Sequence, residues 1–179
     1  HQHVDVVDGV QRIAGVLMMQ AQRPGDLSDA IAIGALQSQC DPPMEELTPA
    51  VWERVIAINL GGTFFGCKRA LTEMLPRGEG RIVNIASVAG MVGSGGGPAY
   101  TASKHGVVGL TKQLAINYAD KGITINAIGP GAVQTGLRAN TVKILGADAP
   151  IMRGVGGDDA AVRAITPAGR RGTLEEIAA

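Results

Sequence analysis

Tyr100 and Lys104 stand four residues apart, a spacing that puts two side chains on one helix face, a turn apart. A tyrosine alone, with an ordinary pKa of ~10, is a poor base near neutrality. A lysine ammonium within a few ångströms favours the phenolate and lowers that pKa toward the working range. Ser87 lies thirteen positions before Tyr100, and a serine hydroxyl near the pair can hold a substrate oxygen by hydrogen bonding. Together the three groups can move a proton on or off an alcohol oxygen while hydride moves to or from its carbon. A Tyr-x-x-x-Lys pair by itself is ordinary on an amphipathic helix, so the surroundings decide its meaning.

The elements that must position these residues are legible around them. Arg81-Ile82-Val83-Asn84-Ile85-Ala86 reads as a buried strand running into Ser87. The glycine-rich Gly93-Ser94-Gly95-Gly96-Gly97 leads to Pro98 and a helix from Ala99 to Asp120, closed by Lys121-Gly122. Ile123 to Ile128 is a further strand, ended by Gly129-Pro130-Gly131. Thr48-Pro49 supplies a capping hydroxyl and a first-turn proline for a helix reaching Leu75, where Pro76 and Gly78 stop it. Further forward, Val4 to Val7 reads as the end of a strand, Gly9 to Gln22 as weakly helical, Pro24-Gly25-Asp26 as a turn and Ala30 to Ile33 as a short strand. Leu137 to Arg171 reads as a mobile excursion with some helix, and Leu174 to Ala178 opens another helix. Strands separated by helices of this length indicate parallel βαβ units, and ligands of open parallel sheets sit beyond the carboxyl ends of the strands.

Composition agrees and excludes several alternatives. The 179 residues carry 16 Lys+Arg and 16 Asp+Glu, a balance that argues against a nucleic-acid binder. The 26 glycines are about twice the usual share, and the five aromatics leave an aliphatic, alanine-based core. Cys40 and Cys67 have neither disulfide-scaffold nor zinc spacing and read as reduced thiols of a cytoplasmic protein. No metal site is expected. No window reaches the ~18 uninterrupted apolar residues of a membrane span.

Asn84-Ile85-Ala86-Ser87-Val88-Ala89-Gly90 followed by Pro98-Ala99-Tyr100-Thr101-Ala102-Ser103-Lys104 closely resembles the active-site signature of the short-chain dehydrogenase/reductase family, including its Ser-to-Tyr spacing. Ile123 to Thr135 resembles that family's strand and Pro-Gly cofactor loop. Trp52 to Thr63 places Asn59 at its helix asparagine, and Pro167 to Ala178 resembles the segment before its last strand. The resemblance implies a single α/β domain over 1–179, a Rossmann-type doubly wound parallel sheet with flanking helices and a substrate lid over 137–171. It implies hydride transfer between NAD or NADP, with NAD slightly preferred, and a small-molecule secondary alcohol or ketone. Carried over, Tyr100 is the acid/base, Lys104 lowers its pKa and holds the nicotinamide ribose, and Ser87 orients the substrate oxygen. Asn59 helps hold a water of the proton relay. Pro130, Gly131, Val133 and Thr135 lie along the nicotinamide and phosphate side, and Asp5 resembles the adenine-contacting aspartate. A homotetramer or homodimer is implied, paired through the helices Thr48–Leu75 and Ala99–Asp120. Phe64, Phe65, Leu71, Leu110, Leu114 and Tyr118 are the apolar surplus for such contacts.

The sequence also departs from that pattern. The family's opening strand and glycine-rich pyrophosphate turn, its first βαβ elements, are missing, and Ile33-Gly34-Ala35-Leu36 stands where Asn-Asn-Ala-Gly is expected. The chain therefore reads as the catalytic middle of a longer enzyme. The alternative is a catalytically inactive relative that keeps the fold for assembly or binding. Gly93 to Gly97 lacks G-x-G-x-x-G and reads as a tight turn at the rim of the site. His105 could suggest a hydrolase base for Ser87, but there is no G-x-S-x-G elbow, and neighbouring helix positions point differently.

Overall fold

The computed structural model describes the backbone of residues 30–33 and, in full, residues 42–93, 96–134 and 159–178. Three parallel strands, β1 (Ala30–Ile33), β2 (Gly80–Ile85) and β3 (Ile123–Ile128), form a sheet in the order β1-β2-β3. Ala30 lies opposite Arg81, and β2 runs beside β3 from Gly80 opposite Ile123 to Ile85 opposite Ile128. Each step along the sheet is made by a helical crossover, as parallel pairing requires.

The first crossover begins where the sequence places it. Thr48 Oγ1 accepts the Val51 N–H at 3.3 Å, and Pro49 occupies the first turn of α1 (Pro49–Ile56). The expected single helix to Leu75 is instead two helices joined by a five-residue π turn, Ala57–Gly61, with α2 over Gly62–Met74. The Gly62 N–H reaches both the Ala57 and the Ile58 carbonyls. The wider turn carries an extra residue, and it brings Asn59 to the inside, 1% exposed. Thr63 Oγ1 donates to the Asn59 carbonyl at 2.8 Å within this turn. A short 3-10 turn, Leu75–Arg77, then closes α2.

The second crossover is α3 (Pro98–Tyr118), followed by a 3-10 turn at Ala119–Lys121. Helices α2 and α3 share one face of the sheet. Cys67, Ala70, Leu71 and Met74 of α2 and Leu114, Ala115 and Tyr118 of α3 pack around Ile82, Ile123 and Ile125. Leu71, Leu114 and Tyr118, expected as surface surplus, thus belong to the internal core, whereas Phe64 is exposed and stacks edge-on against Phe65 at 5.2 Å. The residues alternating with this core, Arg81, Thr124 and Asn126, are exposed. At the far end, Gly122 takes φ 72° and lies so close to Gly78 that a β-carbon would collide with the Gly78 carbonyl oxygen. That contact seats the two helix-to-strand corners against each other.

Two short helices complete the described chain, α4 (Asp159–Ile165) and α5 (Leu174–Ala178). A parallel bridge between Val133 and Gly172 ties the chain leaving β3 to the segment before α5. Among the described residues no helix is long and apolar enough to cross a membrane. Of the expected lid over 137–171, residues 137–158 lie outside the described part, as do the early elements of Val4 to Gln22.

Candidate active site

The carboxyl ends of β2 and β3 and the first turns of α3 converge on one place. Just past β2, the Ala86 N–H donates to the Ile128 carbonyl at 2.9 Å. Ser87 then caps a 3-10 turn, Val88–Gly90, its Oγ accepting the Ala89 N–H at 3.2 Å. The Val88 N–H donates to the Pro130 carbonyl at 3.1 Å, and Gly131 lies beside Val88, so the Ser87 turn and the Gly129-Pro130-Gly131 loop sit side by side. The turn also packs on α3.

Helix α3 opens at Gly97-Pro98, and its first turns carry Tyr100 and Lys104 to the inside, 5% and 2% exposed. A β-carbon on Gly96 would collide with Tyr100 Cδ1, so Gly96 lies directly on the tyrosine ring. Lys104 Nζ donates to the Ile85 carbonyl at 3.0 Å and lies 5.7 Å from the centre of the Tyr100 ring. Burial disfavours the ammonium and brings the Lys104 pKa down to about 8.

Asn59 reaches the same helix. Its Nδ2 donates to Ser103 Oγ at 3.0 Å, and Ser103 Oγ donates to the Tyr100 carbonyl at 2.7 Å. The π turn is thereby fastened to the turn of α3 that bears the tyrosine. Asn59, Tyr100 and Lys104 thus meet along α3, with Ser87, Pro130 and Gly131 gathered at the strand ends. Val133 stands further along, at its bridge to Gly172. Thr135 and Asp5 lie outside the described residues. His105 is exposed, with Nδ1 3.0 Å from the carbonyl of Thr101 on its own helix, an arrangement that gives Ser87 no base.

Several residues with clear parts in this architecture were not singled out from sequence. Ser103 is one. Asn84 is another: wholly buried in β2, it donates from Nδ2 to Thr111 Oγ1 at 2.9 Å and accepts the Cys67 thiol at 3.4 Å. Burial outweighs that hydrogen bond and holds the Cys67 thiol up at about 11. The available signal was an amide inside an otherwise apolar strand, which needs a buried partner.

Comparison with known proteins bears on the family and the fold. The pattern of a family described as short chain dehydrogenase matches residues 7–144. Levodione reductase of Leifsonia aquatica is 45% identical over 108 residues, covering 60% of this chain and 40% of that protein. Cyclohexanol dehydrogenase of an Acinetobacter species is 40% identical over 134 residues, covering 75% of this chain and 47% of that protein. The solved structure of ElxO with NADP bound superposes with a TM-score of 0.73 at 29% identity, covering 96% of this chain and 64% of that one. The chain spans about half the length of the relatives it matches.

Proposed function

We propose that this chain, which belongs to the short chain dehydrogenase family, carries the proton-transfer centre of an oxidoreductase that interconverts a secondary alcohol and a ketone with NAD or NADP. The observation that carries the reading is the buried Lys104, its ammonium held by the Ile85 carbonyl 5.7 Å from the Tyr100 ring. A buried ammonium beside a phenol stabilises phenolate, and that lets Tyr100 exchange a proton with an alcohol oxygen near neutral pH. Ser87 Oγ accepts the Ala89 N–H, so its own hydrogen remains to be donated to the same substrate oxygen. Asn59 and Ser103 hold the tyrosine's turn of α3 in place.

The residues at the strand ends fit the nicotinamide half of such a cofactor. Lys104 offers ammonium donors to ribose hydroxyls. At the bridge to Gly172, the Ala132 carbonyl and the Gln134 N–H are engaged. The N–H and C=O of Val133 therefore point to the other side, a donor and acceptor pair matched to a carboxamide. Pro130 and Gly131 continue that side, and Thr135 and Asp5 are assigned to the phosphate side and the adenine end. When bound, the nicotinamide supplies or receives the hydride. Our reading favours NAD slightly over NADP, a homotetramer or homodimer over a monomer and a cytoplasmic location; exposed Phe64 on α2 and Ile116 on α3 support self-association.

The test is Tyr100→Phe in the full-length enzyme, assayed with cyclohexanol and with NAD and NADP in turn. Loss of the hydroxyl removes the proton carrier and leaves the ring's packing, so turnover falls by about 10²–10⁴ while cofactor affinity holds. A variant within tenfold of the parent overturns the reading.

A further inference from the structure

Side chains tie β2 to α3 at two places. Lys104 Nζ donates to the Ile85 carbonyl, and the adjacent Asn84 donates to Thr111 Oγ1. Lys104 and Thr111 are seven residues apart, two turns along the same helix face, so the two ties fix the helix along its length as well as against the sheet. Asn84 also accepts the Cys67 thiol of α2, and Thr111 Oγ1 passes its own hydrogen to the Val107 carbonyl at 2.7 Å. Asn84 is fully buried and Thr111 is 5% exposed.

Aliphatic packing alone constrains the sliding of a helix over a sheet weakly, because shifted contacts between Ile, Val and Leu side chains have similar energies. A buried amide is different. Its partners exist at one offset only, and any slide strands a donor or an acceptor away from water. Lys104 depends on that offset, since a shift of about an ångström separates a catalytic group from its working position. We propose that Asn84, acting through Thr111 on α3 and Cys67 on α2, is a positioning residue that sets the offset of α3 on β2 and so the seat of Lys104 on the Ile85 carbonyl, at the strand end where Ser87 follows. Its catalytic consequence rests on the oxidoreductase reading; its structural consequence does not.

Asn84→Leu tests this directly but risks misfolding, so Thr111→Val and Thr111→Ser in the full-length protein are the deciding pair. The first removes the hydroxyl at nearly constant volume and the second keeps it. The first readout is the titration of Lys104 in the absence of cofactor and substrate, followed by NMR through lysine carrying ¹³C at Cε. Among the described residues, the titratable groups facing this stretch are Tyr100 on α3 and Cys67 on α2; Cys67 stays neutral below about pH 11, and a Tyr100→Phe background silences the other. Thr111→Val loosens the seat of Lys104, admits water and raises its pKa from about 8 toward its ordinary 10.5, while Thr111→Ser keeps the parent titration. The second readout is turnover of cyclohexanol with NADP, where Thr111→Val lowers kcat about tenfold with KM within about twofold, and Thr111→Ser restores it. A Thr111→Val protein that melts earlier yet keeps the parent's Lys104 titration and kcat overturns the proposal, because the tie is then packing alone. If the parent turns over no alcohol with either cofactor, the functional reading fails, and the Lys104 titration still decides the clamp.

Discussion

Between β2, the π turn, α2 and α3, polar side chains are buried and each meets partners at one geometry: Lys104 on Ile85, Asn84 on Thr111 and Cys67, Asn59 on Ser103. Over residues 159–178 the polar contacts are of another kind. Arg170 pairs with Glu176, and Arg171 with Asp159, with the Arg170 and Glu176 side chains 58% and 47% exposed. The two regions have similar hydrogen-bonding chemistry and different surroundings. In the first, losing a partner leaves a polar group in an apolar interior, and the cost is the full desolvation of that group. In the second, water and salt replace the partner at once. The lesson is that position in the fold decides what each contact contributes, and the buried set is the one that surrounds the candidate chemistry.

Lys104 gives the largest break in that comparison, because here burial opposes stability in favour of function. Its folded-state pKa of about 8 lies below its ordinary 10.5. Between those values the unfolded chain binds more protons than the folded one, so stability rises with pH across that window. Lys104→Met removes the buried charge. At pH 7 the variant should be more stable than the parent by about 1–3 kcal/mol, a difference that shrinks as pH rises toward 10.5. Turnover should fall by about 10²-fold or more, and cofactor binding should weaken with it. Thermal melts across pH 6–10 and parallel kinetics check both halves. A variant less stable than the parent at pH 7 would show that the Ile85 contact outweighs the desolvation.

Ser103→Ala is the next step down. It removes an acceptor of Asn59 Nδ2 and a donor to the Tyr100 carbonyl, two hydrogen bonds between buried groups. The expected cost is about 1–3 kcal/mol, with kcat lower by only a few-fold because Tyr100 and Lys104 keep their own contacts. Urea titration and steady-state kinetics read the two effects separately. A change below the scatter of the midpoint would remove the π turn from the buried set.

Much of this arrangement was legible in the sequence, for physical reasons. The second crossover is bracketed by Pro98, whose φ is fixed, and Gly122, which takes the left-handed φ that other residues avoid, so its strand and helix fall within a residue or two of their expected ends. Tyr100 and Lys104 share a helix face by arithmetic. The π turn was not legible, since Ala57-Ile58-Asn59-Leu60-Gly61 has ordinary helical character, and the extra residue is stabilised by a tertiary bond from Asn59 to Ser103, 44 positions away. Asn84 escaped for a related reason. Its partners Cys67 and Thr111 lie on two different helices, and no local spacing relates them. The divided fate of the apolar surplus, with Leu114 inward and Phe64 exposed, depends on how α2 and α3 are rotated on the sheet, which sequence periodicity fixes only loosely.

The smallest effect belongs to Arg170. It clasps Glu176 with two hydrogen bonds of 2.9 and 2.6 Å. Glu176 also accepts the Thr173 N–H at 2.8 Å, while Thr173 Oγ1 accepts the Glu176 N–H at 3.3 Å. That reciprocal pair is a capping box at the start of α5. These contacts bring the Glu176 carboxyl down to about 2, with the Arg170 hydrogen bond the largest cause. By sign, such a depressed carboxyl stabilises above its ordinary pKa of 4.5, and the benefit is lost as pH falls toward 2. The pair is well exposed to water, however, so screening removes most of what the shift suggests. Arg170→Ala should therefore move the melting midpoint at pH 7 by about 1 °C or less, and about 0.5 M sodium chloride should abolish even that. The capping box stays intact in this variant, so α5 keeps its start. Scanning calorimetry of parent and variant at low and high salt measures the difference. A salt-resistant shift as large as that of Ser103→Ala would place the Arg170–Glu176 pair among the contacts that hold the fold and erase the contrast between the two regions.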